Sequence, residues 1–395
     1  MGDVHTVAGR GGETRLDRLF EISGHTHIDA DVVIVGGGII GLSAAYYLAR
    51  TGRRSVALLE RRTFGWEASG RNAGGVRQQG RDLREIPLAM LAVSTWATWN
   101  EELRGPTYYR RSGNVYIAST QDEMDRLVEQ AREERRAGLE TEILSRARLR
   151  EKVPALSGPF LGGKYCATDG IAEPEAVIPS LASAAARLGV HLYQDTEVLD
   201  LHSDGGRLAA VVSDRFVFHP RTTLIACGPW TPILLARVGV RVPIQPVRAE
   251  IAQTAPLPHL FGEFLIFEGQ GFYARPTYDG RINIGPHSRL GPSDLSGVLL
   301  SEADVMQWRR RVAEVIPALG EAPIERRWHG LLDVTPDEVP IIGPVPRLEG
   351  CLVAAGFSGH GFCLGPGVGR LLAEWMVDGR PSLDLGAFSL ERFLT

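Results

Sequence analysis

The sequence predicts an α/β (α+β) fold. A Rossmann-type domain is assembled from discontinuous segments, and a β-sheet-rich second domain interrupts it. Three observations carry this expectation. A strand–glycine–helix–strand unit opens at Asp31, and a second strand runs into a glycine turn at Thr223–Trp230. A third strand–glycine–helix unit, Cys351 to Asp378, comes near the end of the chain. Between them, apolar residues alternate as in strands. The 395 residues exceed one typical core, so two domains are expected.

The first unit is an apolar run ending at Val35, then Gly36-x-Gly38-x-x-Gly41, a helix-forming stretch to Gly52, a second apolar run from Ser55, and Glu60. That is the order of a dinucleotide-binding βαβ unit. Gly36 permits the tight turn, Gly38 lets the backbone approach a pyrophosphate, and Gly41 lets helix and sheet pack closely. The helix N-terminus offers free N–H groups and a positive dipole end to phosphates. Glu60 can accept hydrogen bonds from a ribose diol and would repel a 2′-phosphate. A merely structural glycine turn is the competing reading, and the strand–helix–strand context argues against it.

Further elements follow from periodicity. Helical spacing covers Glu85–Leu103, Gln121–Ala137, Ala176–Leu188, Glu302–Ile316 and Gly367–Asp378. Tyr108–Ala118 reads as a strand pair around a turn. Strands are expected at His191–Tyr193, Glu197–Leu201, Leu208–Val212, Thr223–Ala226 and Cys351–Ala355, with alternation from Val242 to Pro286. The expected divisions are a flexible extension over 1–28, a nucleotide domain over 29–85, 155–240 and 328–395, and a substrate domain over 86–154 and 241–327.

Composition narrows the function classes. Apolar residues make up 44%, charged residues 23%, and the net charge is −4, so no nucleic-acid or anionic-membrane partner is expected. No apolar run reaches transmembrane length, and residues 1–30 lack the apolar segment of a secretory signal. Cys166, Cys227, Cys351 and Cys363 form no CxxC pair. They are read as buried thiols in a reducing cytoplasm, with no metal site.

Rossmann geometry alone does not choose between NAD and FAD. The glycine turn after Thr223 and the unit at Gly356–Gly361 favour FAD, because a flavin is long and its ring needs a second backbone-rich surface. A helix N-terminus there could stabilise negative charge on the reduced ring.

Four segments then join the fingerprint: Ser69-Gly-Arg-Asn-Ala-Gly-Gly-Val-Arg-Gln-Gln, Ala226-Cys-Gly-Pro-Trp, Trp328-His-Gly-Leu-Leu-Asp-Val-Thr-Pro-Asp-Glu-Val-Pro-Ile-Ile-Gly, and Gly356-Phe-Ser-Gly-His-Gly-Phe. With these, the chain resembles the FAD-dependent amino-acid oxidase/dehydrogenase family of D-amino acid oxidase, glycine oxidase and sarcosine oxidase. It is most similar to bacterial proline- and sarcosine-type dehydrogenase β-subunits. The resemblance implies oxidation of an amino acid to an imine by hydride transfer to flavin N5, with the protein supplying positioning and electrostatics. Sarcosine, proline or hydroxyproline, and glycine-like substrates lead the list. The rivals are a tailoring flavoenzyme acting on a larger amine, an electron-transfer subunit within a hetero-oligomer, and an NAD-binding dehydrogenase. A quinone or an acceptor subunit is the partner implied.

The resemblance also places residues. Cofactor contacts fall on Gly36, Gly38, Ile40, Gly41, Glu60, Arg61, Ser69, Arg71, Asn72, Ala73, Gly74, Gly75, Val198, Cys227, Gly228, Trp230, Gly356, Phe357, Ser358, Gly359, His360 and Gly361. Substrate or catalytic contacts fall on Arg77, Tyr273, Arg275, His287 and His360. Tyr273 and Arg275 share one face of a strand, so a hydroxyl and a guanidinium could hold a carboxylate. An ordinary strand with a solvated Arg reads equally well, and a structural role competes for His287. Three departures stand out. Leu332 occupies the place of a glycine-oxidase carboxylate-binding Arg. Gly330 occupies the place where monomeric sarcosine oxidases attach flavin to Cys, so a non-covalent flavin is expected. Asn283 falls where sarcosine oxidases carry a Lys beside the flavin, which implies slow reaction with O₂.

Overall fold

The computed structural model describes residues 25–286, 295 and 302–394. His287 lies outside them, so the expectation placed on it stays at the level of sequence.

The first sheet is mainly parallel. Its order is Ile341–Pro344, Cys351–Ala355, Phe216–Ile225, Thr26–Val35, Val56–Leu59 and His191–Tyr193. The antiparallel strands Arg207–Ser213 and Val198–Asp204 extend from Phe216–Ile225. The strand Thr26–Val35 begins within the stretch assigned from sequence to the extension, and its first rungs pair Thr26 with Phe216 and Ile28 with Phe218. Both faces of the sheet are apolar, as a helix-covered parallel sheet requires. Val32 and Ile34 pack under the helices Ile39–Arg50 and Gly361–Asp378, while Val33 and Val35 pack against Leu201, Leu234 and Ile244 on the other side.

The helix Gly361–Asp378 starts six residues earlier than periodicity suggested and carries Pro366 inside it. Its small residues explain the close fit on Ile39–Arg50. A Cβ on Gly365 would stand 2.8 Å from Ile39 Cγ1, and one on Gly369 would collide with Ser43.

The second sheet runs Ile324–Val334, Gln245–Thr254, Ile282–Pro286, Phe272–Pro276, Phe264–Phe267, Asn114–Ala118, Gly162–Cys166 and Glu142–Ser145. Two of these strands, Gly162–Cys166 and Ile324–Val334, draw into this sheet residues that the sequence divisions grouped with the nucleotide domain. Strand pairing across distant segments leaves no local signature, so those divisions could not see it. The strand pair expected over Tyr108–Ala118 reduces to Asn114–Ala118, with Arg110 making one isolated bridge to Ile171. One face of the sheet is an apolar core containing Leu265, Phe272, Ala274, Ile282 and Ile284. The opposite face carries Tyr116, Phe264, Tyr273, Arg275 and Asn283. A two-stranded ladder, Gly75–Val76 with Gly170–Ile171, connects the segment after the first βαβ unit to the second sheet.

Candidate cofactor groove and substrate pocket

A solvent-open groove crosses the C-terminal edge of the first sheet, where open α/β folds bind ligands. At its floor Gly36, with φ of 112°, turns under the Ala226 carbonyl, and a Cβ there would collide with that oxygen. Gly41 packs so tightly on the Gly36 carbonyl that it also excludes a side chain. A Cβ on Gly38 would meet only Ser69, with Oγ at 2.9 Å, so its backbone lies bare toward the groove. Glu60 fixes the turn: Oε2 accepts from Gly37 N–H at 2.8 Å, and Oε1 accepts from Arg62 N–H at 2.9 Å. Ser69 Oγ accepts from Ile39 N–H at 2.9 Å.

The groove has two ends. Glu60, Arg61, Val198 and Trp230 line one, with the Arg61 guanidinium 3.6 Å from the Trp230 ring centroid. Cys227 and Gly228 continue the wall. Leu332, Asp333, Phe357, Gly359 and Gly361 line the other end, and Ile40, Ser69 and Asn72 lie along its length. Other residues expected at the cofactor stand behind this lining. Arg71 donates to the His329 carbonyl at 3.0 Å and accepts from Trp328 Nε1 at 2.8 Å through its own carbonyl. Gly74 N–H donates to Asn72 Oδ1 at 2.7 Å, Ala73 presents its carbonyl to Arg275, and Gly75 enters the short ladder. Gly356 and Ser358 shape the turn into the last helix, with φ of 73° and 52°.

Sequence reasoning missed Asp333 as a shaping group. Its Oδ2 accepts from Gly356 N–H at 2.6 Å, and burial pushes its carboxyl up to about 6 against these backbone donors. The only sequence signal was an acid directly after the apolar pair Leu331–Leu332.

The groove fits a dinucleotide with a long second arm. It offers bare backbone at Gly38, helix N-terminal donors, an acid at the strand end and a second glycine-lined end. A mononucleotide would leave the Phe357–Gly361 end without use.

His360 points away from this lining. Its Nδ1 lies 3.0 Å from Glu85 Oε2, and Arg81 NH1 lies 3.2 Å from the same oxygen. Burial and the nearby Arg81 push the imidazole below its ordinary value. Burial alone would raise Glu85, but His360 and Arg81 outweigh it and hold the carboxyl below its usual range.

The expected substrate trio divides. Arg275 is fully buried and paired in a fork with Glu173, NH1 to Oε1 at 2.6 Å and NH2 to Oε2 at 2.9 Å, and its Nε donates to the Ala73 carbonyl. It has no donor pair to spare for a substrate carboxylate, so that expectation is corrected. The alternation argument set its face properly but could not foresee Glu173, 102 residues away in sequence. Arg77 behaves differently. Its NH1 donates to Tyr116 OH at 2.7 Å, its guanidinium lies 5.8 Å from the Phe264 ring centroid, and no ion pair holds it among the described residues. The Tyr273 ring lies tilted at 5.3 Å from that of Phe264, and burial pushes its hydroxyl well above the ordinary tyrosine value. Tyr116 and Phe264 were not singled out from sequence, where they read as plain strand aromatics.

Comparison with known proteins agrees with this architecture. The family model for FAD dependent oxidoreductase matches residues 31–375. The chain is 33% identical over 374 residues to glycine oxidase of Geobacillus kaustophilus, covering 92% of this chain and 97% of that protein. It is 27% identical to the sarcosine oxidase β subunit of Rhizobium meliloti, covering 92% and 88%. The crystal structure of L-proline dehydrogenase from P. horikoshii superposes with a TM-score of 0.88 at 26% identity, covering 93% and 98%. With a groove of this form and a family match over most of its length, the chain belongs to the FAD-dependent oxidoreductases.

Proposed function

We propose that this enzyme oxidises the C–N bond of a small amino acid, of the sarcosine, proline or glycine kind, to an imine. The observation that carries the reading is Arg77, a half-buried guanidinium with no carboxylate partner among the described residues, walled by Tyr116, Phe264 and Tyr273. An unpaired cation in an aromatic setting suits a small carboxylate. The printed activities of the relatives, glycine oxidase and L-proline dehydrogenase, support the same substrate class.

Gly36, Gly38 and the helix N-terminus at Ile40 would hold the pyrophosphate of FAD, Glu60 its ribose, and the Phe357–Gly361 end its ring. When bound, FAD supplies the hydride acceptor. The protein's own part is to fix the carboxylate on Arg77, keep the amine carbon facing the ring, and exclude water with Phe264 and Tyr273. An amine that binds neutral needs no strong base.

The deciding experiment is anaerobic mixing with a panel of amino acids and N-methyl amino acids while following the flavin bands near about 370 and 450 nm. Bleaching by a small amino acid supports the reading. Bleaching only by larger amines moves the substrate to the tailoring class. A role as an electron-transfer subunit has the likeness to a sarcosine oxidase β subunit in its favour. Co-purification with a partner chain, and no bleaching by the isolated chain, would establish it.

A further inference from the structure

The loop that presents Arg77 is held from behind by buried polar side chains. Gln78 N–H donates to Asp169 Oδ1 at 2.7 Å, and Gln78 Nε2 donates to the same oxygen at 3.1 Å. Gln79 Nε2 donates to Asn114 Oδ1 at 3.0 Å, and Gly80 N–H donates to Glu134 Oε1 at 2.7 Å, which also takes Lys164 Nζ at 2.7 Å. Arg81 pairs with Glu85.

Asp169 differs from the two glutamates. It is fully buried, and among the described residues its Oδ2 has no hydrogen-bond partner and no cation forms an ion pair with it. The charged or titratable groups that face it are Arg77, Arg81, Tyr109, Tyr116, Lys164, Cys166 and Cys363. Two of the cations, Arg81 and Lys164, are matched by Glu85 and Glu134. Arg77 is therefore the one left to balance Asp169, through the loop rather than through contact. A substrate carboxylate on Arg77 would give this buried cluster one negative charge too many, which a low-dielectric interior resists. The free Oδ2 is the place where a proton removes it.

We propose that Asp169 is a positioning residue and the proton-linked counter-charge of Arg77, so that a carboxylate docking on Arg77 is taken up together with a solvent proton on Asp169. The proposal rests on Arg77 as the anchor. Burial already pushes the free Asp169 carboxyl up to about 6. A second anion nearby raises it further, and by linkage the affinity falls as pH rises through and above that value.

The test uses the flavin-loaded enzyme and pyrrole-2-carboxylate, a carboxylate that offers no oxidisable amine. Its dissociation constant is read from the flavin spectrum between pH 5.5 and 8.5. Proton uptake is read by calorimetry in two buffers of different ionisation heat. The expected result is affinity weakening several-fold from pH 6 to 8, with proton uptake. In Asp169→Asn the profile is flat and uptake is absent, at equal flavin content. A protonated-carboxyl band that appears on ligand addition in infrared difference spectra of wild-type protein carrying ¹³C-aspartate gives support without any variant. A flat wild-type profile, or an Asp169→Asn profile with the same slope and uptake, overturns the proposal while leaving the anchor intact. If Arg77→Gln binds the probe as well as wild type does, the anchor itself fails, and the proposal with it.

Discussion

At Glu60 both carboxylate oxygens are already engaged by backbone N–H groups, so the residue shapes the turn as well as facing the groove. Glu60→Ala should weaken flavin retention by about 1–3 kcal/mol, the loss of charged hydrogen bonds. Gly38→Val should abolish it, because a branched side chain would fill the bare backbone above Ser69. Flavin content of the folded variants, measured by absorbance, checks both. Arg275 is the contrasting residue. Arg275→Met should cost about 3–5 kcal/mol of stability by stranding Glu173, yet leave carboxylate affinity almost unchanged. Denaturant titration and ligand binding separate those outcomes. The fingerprint glycines were legible from sequence because each answers a local steric need. The commitment of Arg275 was not, because Glu173 lies on a distant segment. Asp169 gave no signal either, since nothing in its neighbours Thr168 and Gly170 marks a buried acid.

On the second sheet, the strand Ile282–Pro286 places Asn283 directly across from Arg275, with Oδ1 accepting from Gln253 Nε2 at 2.8 Å. This buried amide pair is neutral. The two arginines nearest it in the strand pattern are occupied, Arg275 by Glu173 and Arg281 by Asp279 and Glu325. With a neutral amide at position 283 and both of these arginines paired, reoxidation by O₂ should be slow, and a quinone or protein acceptor should be preferred. Stopped-flow reoxidation of reduced enzyme in aerated buffer measures this, and a rate that sustains turnover unaided would contradict it. The helix Gly361–Asp378 makes a separate prediction. Gly369→Val must push it off Ser43, so overpacking should destabilise the fold by about 1–3 kcal/mol or more. The glycine-rich run that permits this contact also hid the first two turns of the helix from periodicity, since Gly and Pro weaken the helical signal.

For the whole molecule, two buried acids set part of the pH response. Asp169 and Asp333 both titrate near about 6 in the folded chain, above the ordinary aspartate value, because burial disfavours their charge. A folded value that is raised means that the fold binds protons more tightly than the unfolded chain. Each group's contribution is therefore full below about pH 4 and is lost as pH rises through 6. Two units correspond to about 3 kcal/mol for each group. The advantage of Asp169→Asn over wild type in Tm should accordingly be larger at pH 8 than at pH 5, and thermal melts at the two values test it. Paired surface acids such as Asp82 and Asp337, held low by arginines despite burial, work in the opposite direction and flatten the total. The order of the first sheet has a different consequence, for the time course of synthesis. Thr26–Val35 emerges early, yet its neighbour Phe216–Ile225 is made about 190 residues later, and that strand's own parallel partner, Cys351–Ala355, later still. Pairings this distant are slow to form. Until the last helix leaves the ribosome, the nucleotide turn has neither its roof nor the far end of its groove. A growing chain that stops short of residue 351 should hold no flavin, stay exposed along the Phe216–Ile225 edge, and depend on chaperones for as long as the ribosome is still adding the strand Cys351–Ala355 and the helix after it.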